Sequence, residues 1–476
     1  DPKVVREEER NGPLAPVAEK AEGHWEVGYF VDGKEVALVL VDPESGDVLE
    51  SWTGYQVAWK MARGYSGAFG HKLNAPYVFL PLCALFLLGL VDWRRWRRVA
   101  NLDLLVLLGF GASHYFFNRA EIGVSVPLQY PVLLYLLGRA LWIGFRGGGE
   151  GVRPIWPAAW LLIAALFLLG FRVGLNVADS GTIDVGYASV VGADRIAHGE
   201  PIYDNFPDDV SQGDTYGPVT YLAYVPFELV WPWSGSWDDL PAAHAAAAGF
   251  DVLAFLLLVV LGMRIRPGPE GRRLGATLAF GWAAYPYTAY ALESNSNDTL
   301  VAVLLVALLL ILTRPLARGA LAALATWAKF APALLAPMLL TYERRRRPAA
   351  LFALGLGLTT IVAMLWPAID PGLSTVYDRT IAYQAGRDSP FSIWGQVPAL
   401  EPLRVALLVG TGALSLALAF VPRRKSLVQV AALGAALLIA AQLTMQHWFY
   451  LYVVWFYPLL LLAFARPPEP PPKARA

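Results

Sequence analysis

The sequence predicts a polytopic α-helical membrane protein carrying a small extracytoplasmic α+β domain at its N-terminal end. Three observations carry this. Of 476 residues, 56% are hydrophobic and only 16% charged, against roughly 25% charged in soluble domains, and the mean hydropathy is +0.45. Many apolar runs approach or exceed the length that crosses about 30 Å of hydrocarbon. The first fifty residues lack such runs and show short alternating stretches instead. The 17 Trp and 21 Tyr suit two interfacial belts.

Positive and negative charges balance at 38 each, so no global field draws the chain to nucleic acid. The single cysteine, Cys83, lies in an apolar run and reads as packing. The chain begins with Asp1, consistent with a missing natural N-terminus; an upstream helix or a removed signal stays open. Four regions are expected: a sheet domain over 1–75, accessory helices over 76–150, a main membrane domain over 151–466, and a Pro-rich cytoplasmic tail over 467–476.

Residues 1 to about 23 are charged and read as a loose lead-in or a short helix. In "HWEVGYFVDGKEVALVLVDPESGDVLESW", Trp25, Val27 and Tyr29 alternate, Asp32-Gly33 is a hairpin signal, "EVALVLV" is a second strand and "VLESW" a third. Val41, Asp42, Gly46 and Val48 in this pattern resemble a PepSY-type domain. A helix over "YQVAWKMARGY" then leads to the membrane.

Apolar segments follow at 77–91, 103–118, 125–145, 155–175, 219–233, 242–263, 274–292, 298–313, 316–341, 348–367, 403–421, 426–443 and 447–465, giving about 11–13 membrane segments. The short basic loops "DWRRWRR", "RGGGEGVR" and "PRRKS" are expected on the cytoplasmic side. That places the sheet domain and the loops 176–218 and 368–402 outside. "MRIRPGPEGRR" and "ERRRR" fit the same side only if 219–233 and 316–341 enter the bilayer and return. The latter then consists of two half-helices meeting at Lys329-Phe330; two ordinary spans are the alternative.

Chemistry-bearing residues gather outside. A helix over 183–199 places Asp184, Tyr187, Val191, Asp194 and His198 on one face and ends at Gly199. Asp208, Asp209 and Asp214 follow, with Tyr216 in "TYGPVTYLAY". Their spacing matches no cation loop, so no cofactor is expected, with a divalent cation as the minority alternative. "ESNSND" offers Asn295, Asn297 and Asp298, the second outside loop offers Arg379 and Arg387, and His447 stands at the boundary of the last segment. Lys329 is the costly one: a Lys at the bilayer centre costs roughly 2.5–3.5 kcal/mol on insertion scales, which makes it a functional candidate. A lipid phosphate is its natural counter-ion. Acids and cations together suit a phosphate donor arriving from the bilayer and a hydroxyl acceptor arriving from water.

From about 155 to 465 the chain resembles the GT-C superfamily of membrane glycosyltransferases, and within it the family 87 mannosyltransferases of actinobacteria. "IDVGYASVVGADRIAHGEPIY", "TYGPVTYLAYVPF", "SNSND", "ATWAKFAPALLAP" and "DSPFSIWG" carry the likeness. The resemblance implies a polyprenyl-phosphate sugar donor, an extracytoplasmic glycolipid or polysaccharide acceptor, and transfer with inversion. It implies Asp184 as catalytic base with Asp179 as runner-up. Lys329, with Arg387 and Arg379, is expected on the donor phosphate. Tyr187, His198, Tyr216, Asn297, Asp298 and His447 are expected on substrate. The N-terminal sheet and the accessory helices depart from the family pattern.

Two other readings remain at this level. One is a lipid or sugar transporter, disfavoured because polar groups concentrate on one side instead of at the midplane of repeated halves. The other is a non-catalytic assembly protein whose sheet edges bind a partner strand.

Overall fold

The structure, a computed structural model, describes residues 1–21, 23–58, 63, 70–147, 151–387 and 389–465. The chain divides into two compact units: residues 1–68 with 111–128, and residues 69–110 with 129–476.

The first unit opens with α1 (Pro2–Asn11), where the Asp1 side chain accepts from the Lys3 N–H at 2.8 Å and caps the helix. Four strands follow, β1 (Ala15–Ala21), β2 (His24–Val31), β3 (Lys34–Val41) and β4 (Val48–Thr53). They form an antiparallel meander in sequence order. Asp32 and Gly33 both take positive φ, 50° and 78°, the geometry of a tight primed hairpin turn. Val4, Ala37 and Val39 form the core, with Leu14, Tyr29 and Val41 against it.

The sequence reading expects three strands, and β1 is the addition. Its residues are exposed up to Ala21, so burial imposes no alternation on them. Pro16 is tolerated because β1 lies at the sheet edge. The helix expected over 55–65 is present as α2 (Tyr55–Ala58); the rest, Arg63 apart, lies outside the described residues. Gln56 Nε2 donates to the Ala120 carbonyl at 2.8 Å, which ties residues 111–128 to this unit.

The second unit is helical. Its elements, some beginning or ending in the first unit, are α3 (Pro76–Leu90), α4 (Val99–Leu107), α5 (Phe110–Phe117), α6 (Ile122–Arg146), α7 (Ala158–Asp179), α8 (Asp184–His198), α9 (Pro218–Leu222), α10 (Val225–Glu228), α11 (Pro241–Ile265), α12 (Gly268–Ala284), α13 (Pro286–Glu293) and α14 (Asp298–Leu310). Then come α15 (Pro315–Ala328), α16 (Ala336–Leu340), α17 (Arg346–Pro367), α18 (Leu373–Tyr377), α19 (Tyr383–Gly386), α20 (Ile393–Gln396), α21 (Glu401–Phe420), α22 (Leu427–Thr444) and α23 (Val453–Ala465).

Among the described residues, seven helical stretches are long and apolar enough to cross a membrane: Val99–Phe117, Ile122–Arg146, Ala158–Asp179, Pro241–Ile265, Arg346–Gly386, Pro398–Phe420 and Leu427–Thr444. Shorter apolar helices cover Pro76–Leu90, Asp298–Leu310, Ala331–Leu340 and Tyr450–Ala465.

Three of the expected apolar segments are broken helices, with a proline at or near each break. Segment 219–233 holds only α9 and α10, with Pro218 and Pro226 in their first turns. Segment 274–292 breaks at Tyr285, which is extended before Pro286. Segment 316–341 breaks at Lys329, with φ −144° and ψ 133°, followed by a 3₁₀ turn over Ala331–Leu335. This last break falls where the sequence places it.

A candidate site around Asp184 and Lys329

Asp184 opens α8, and the helix ends at Gly199, which takes the left-handed conformation (φ 73°, ψ 26°). The expected common face is not a free surface, because Gly186–Ala193 are all buried. Small residues make that burial possible. A Cβ on Gly186 would lie 2.2 Å from the Asn295 carbonyl oxygen, and one on Gly192 would lie 2.2 Å from the Tyr221 ring. The helix is therefore clamped between the "ESNSND" loop and α9.

That loop is a brace. The Ile183 N–H donates to the Ser294 carbonyl at 3.2 Å. Asn295 Nδ2 donates to Ser180 Oγ (3.0 Å) and the Gly181 carbonyl (3.1 Å). Asn297 Nδ2 donates to Ser189 Oγ (2.9 Å) and the Val185 carbonyl (3.2 Å). Asn295 and Asn297 are fully buried. Instead of facing substrate as expected, Asn297 spends its donors on α8 and fixes the start of the helix.

So held, Asp184 lines a cavity of about 190 Å³ together with Asp208, Asp209, Tyr216, Tyr383 and Arg387. Asp184 stays open to the cavity, yet protein surrounds it closely. That desolvation raises its carboxyl above the usual value, while the positive charge of Arg387 pulls the other way.

Lys329 stands next to this cavity because two backbones touch. A Cβ on Gly217 would lie 2.0 Å from the Trp327 carbonyl oxygen, and Thr220 Oγ1 donates to the Ala328 carbonyl at 2.6 Å. The end of α15 is thereby satisfied by α9, and Tyr216 comes beneath Lys329. The Lys329 ammonium lies 3.8 Å from the Tyr216 ring centroid. Its Nζ is 3.6 Å from Asp298 Oδ1, which also accepts from Trp455 Nε1 at 2.8 Å. Asp298 sits in the first turn of α14, where the helix dipole favours a carboxylate. Both Lys329 and Asp298 are buried.

Other expected site residues lie elsewhere or are already engaged. Asp179, at the end of α7, pairs with Lys72 Nζ at 3.5 Å and accepts from the Lys72 N–H at 3.1 Å; it does not line the cavity. Arg379 makes a two-pronged contact with buried Asp214, at 2.7 and 2.6 Å, so its charge is spent on joining the two expected outside loops. His198 is exposed and pairs with Asp194 at 3.2 Å, fourteen residues along α8 from Asp184. Tyr187 stacks on Trp237 at 4.8 Å, and its hydroxyl is 3.2 Å from Asp209 Oδ2, which helps push its pKa up to about 12 after desolvation. His447 Nδ1 is 2.9 Å from Ser389 Oγ. The acids considered for a cation do not converge: Asp214 turns to Arg379, and no group of three His, Cys, Asp or Glu among the described residues is placed to hold a metal.

The sequence reading passes over one polar centre. Arg172 on α7 and Asp251 on α11 form a fully buried pair at 2.8 Å, joined by Trp282 Nε1 at 2.9 Å to Asp251 and by Thr288 at 3.0 Å to Arg172. Each lies within an apolar run, the signal that singles out Lys329. Breaking such a pair is strongly destabilising; Arg172 Nε and Asp251 Oδ2 are left without a hydrogen-bond partner, while the 2.8 Å contact joins α7 to α11.

No protein-family model matches this chain, and neither a curated protein nor a solved structure does.

Proposed function

We propose that the chain is a membrane-embedded glycosyltransferase that moves a sugar from a polyprenyl-phosphate donor to a hydroxyl on a glycolipid or polysaccharide, on the extracytoplasmic side. The observation that carries this is the shared cavity of Asp184, Tyr216 and Arg387, with Lys329 seated on the Tyr216 ring. An acid and a cation lining one cavity, with a second cation beside it, meet the two needs of such a transfer.

Asp184 accepts the proton of the acceptor hydroxyl as its oxygen forms the bond to the anomeric carbon. The bond from that carbon to the lipid-phosphate oxygen breaks, and the electron pair leaves with the phosphate. Arg387 stabilises the released charge, with Lys329 adding a second positive charge behind Tyr216. At about 190 Å³ the cavity is smaller than the roughly 300–1,000 Å³ of a drug-sized pocket, which suits one polar ring with the lipid chain outside it. Mannose is the sugar that the family resemblance favours.

The test is transfer of labelled sugar from a panel of polyprenyl-phosphate sugars in membranes holding wild type or Asp184→Asn. Transfer by wild type alone supports the assignment. Equal transfer by both removes Asp184 as base, and no transfer from any donor removes the reading.

A further inference from the structure

A second cavity, of about 330 Å³, is built where several apolar helices end together. Arg153, Arg266 and Arg273 line it, with Val152, Leu274 and Ala465 as apolar wall. The three arginines come from two distant parts of the chain. Among the described residues, Glu270 is the one carboxylate in the lining; it is 2.7 Å from Arg266 and neutralises it, so the Arg153 and Arg273 guanidinium charges face the cavity without a described lining carboxylate to match.

The cradle is rigid. A Cβ on Gly262 would lie 2.2 Å from the Gly275 nitrogen, so α11 and α12 cross at backbone contact. The Val152 N–H donates to the Phe464 carbonyl at 2.6 Å, and Arg273 Nη2 donates to the Pro154 carbonyl at 2.5 Å. These bonds join the 151–154 loop to the ends of α23 and α12. The arginines of 94–95 and 97 lie exposed on a loop and do not line this cavity, as expected of charges that only bias topology.

We propose that this cavity binds a phosphate ester, supplied by the headgroup of an anionic phospholipid. Guanidinium forks match phosphate oxygens, and a basic pocket between helices at the cytoplasmic boundary is the place for an anionic headgroup. The apolar wall is made by Leu274 of α12, Ala465 at the end of α23 and Val152 beside it, where acyl chains would continue. α7 has 22 residues and rises about 33 Å from this end to the Asp184 end, so the site is separate from the sugar-transfer site and does not depend on that assignment.

The test uses the full chain in nanodiscs of phosphatidylcholine with or without phosphatidylglycerol, followed by thermal melting. Arg153→Gln/Arg273→Gln is compared with wild type, and Arg94→Gln/Arg97→Gln serves as the charge control. Phosphatidylglycerol is expected to raise the melting temperature of wild type and of the control, and to raise that of the cavity variant by less than half as much. An equal rise in all three, or a reduced rise in the control as well, overturns the proposal in favour of diffuse surface charge. Inorganic phosphate added in detergent distinguishes the sources: stabilisation by phosphate that phosphatidylglycerol does not match overturns the lipid assignment. If the double variant does not fold, Glu270→Gln replaces it and is expected to enlarge the phosphatidylglycerol effect; no enlargement counts against the site.

Discussion

The two cavities handle charge in opposite ways. Around Asp184 the ionised groups are interleaved: Lys329 meets Asp298, Arg379 meets Asp214, and Arg387 shares a wall with Asp184. Around Arg273 they are nearly all of one sign and open to solvent. Interleaved charges hold one another in fixed geometry, and the buried ones among them, Lys329, Asp298 and Asp214, are costly to remove. Same-sign, exposed charges leave a counter-ion to be supplied from outside the protein. The first arrangement suits chemistry, which needs positioned groups; the second suits recognition of an anion.

The comparison breaks most sharply at Asp184. Asp184→Asn is expected to lower sugar transfer by roughly 10²–10⁴-fold, measured as initial rates in membranes, with the melting temperature kept. Loss of folding in that variant would make Asp184 a structural residue. Next, Lys329→Met leaves Asp298 buried and unpaired, which costs about 3–5 kcal/mol. Lys329→Met/Asp298→Asn should recover part of that loss in denaturation experiments. No recovery would mean the pair is not the source of the cost.

Gly217→Ala forces a methyl group onto the Trp327 carbonyl and is expected to cost about 1–3 kcal/mol and to lower transfer by displacing Tyr216 from Lys329. Gly235→Ala, where a Cβ meets nothing within 4 Å but φ is 92°, controls for backbone strain alone. The pH profile is a finer probe. Because burial raises the Asp184 pKa above 3.8, transfer should rise with pH through a midpoint above that value. Stability has the opposite sign: the folded state holds the proton more tightly, so its contribution is present below the unfolded pKa and is lost as pH rises through the folded one. Asp184→Asn should remove both dependences. The smallest effects belong to the second cavity, where substitution of exposed arginines shifts unliganded melting little and changes mainly the response to anionic lipid.

Legibility followed from how local the cause was. The helix over Asp184–His198 and its end at Gly199 are readable because capping and left-handed glycine are properties of adjacent residues. The break at Lys329-Phe330 is readable because a charge and a following Pro interrupt an apolar run. β1 was missed because an exposed edge strand has no alternation to betray it. Arg172 and Asp251 were visible as ionisable groups in apolar runs, but only their meeting across α7 and α11 explains them.

What the sequence determined by itself was a chain of apolar helices that follows a small sheet in sequence, because burial and helix length write themselves into composition and period. It also determined which residues are chemically costly. Only the tertiary structure decided how those residues are used. It turned Asn297 into a brace and gave Asp179 and Arg379 to other partners. It set Asp184 and Arg387 on one cavity beside Lys329. The reason is physical: pairing energies depend on separations of a few ångströms between groups tens to hundreds of residues apart, and those separations rest on contacts such as Gly217 against Trp327 that no local pattern encodes.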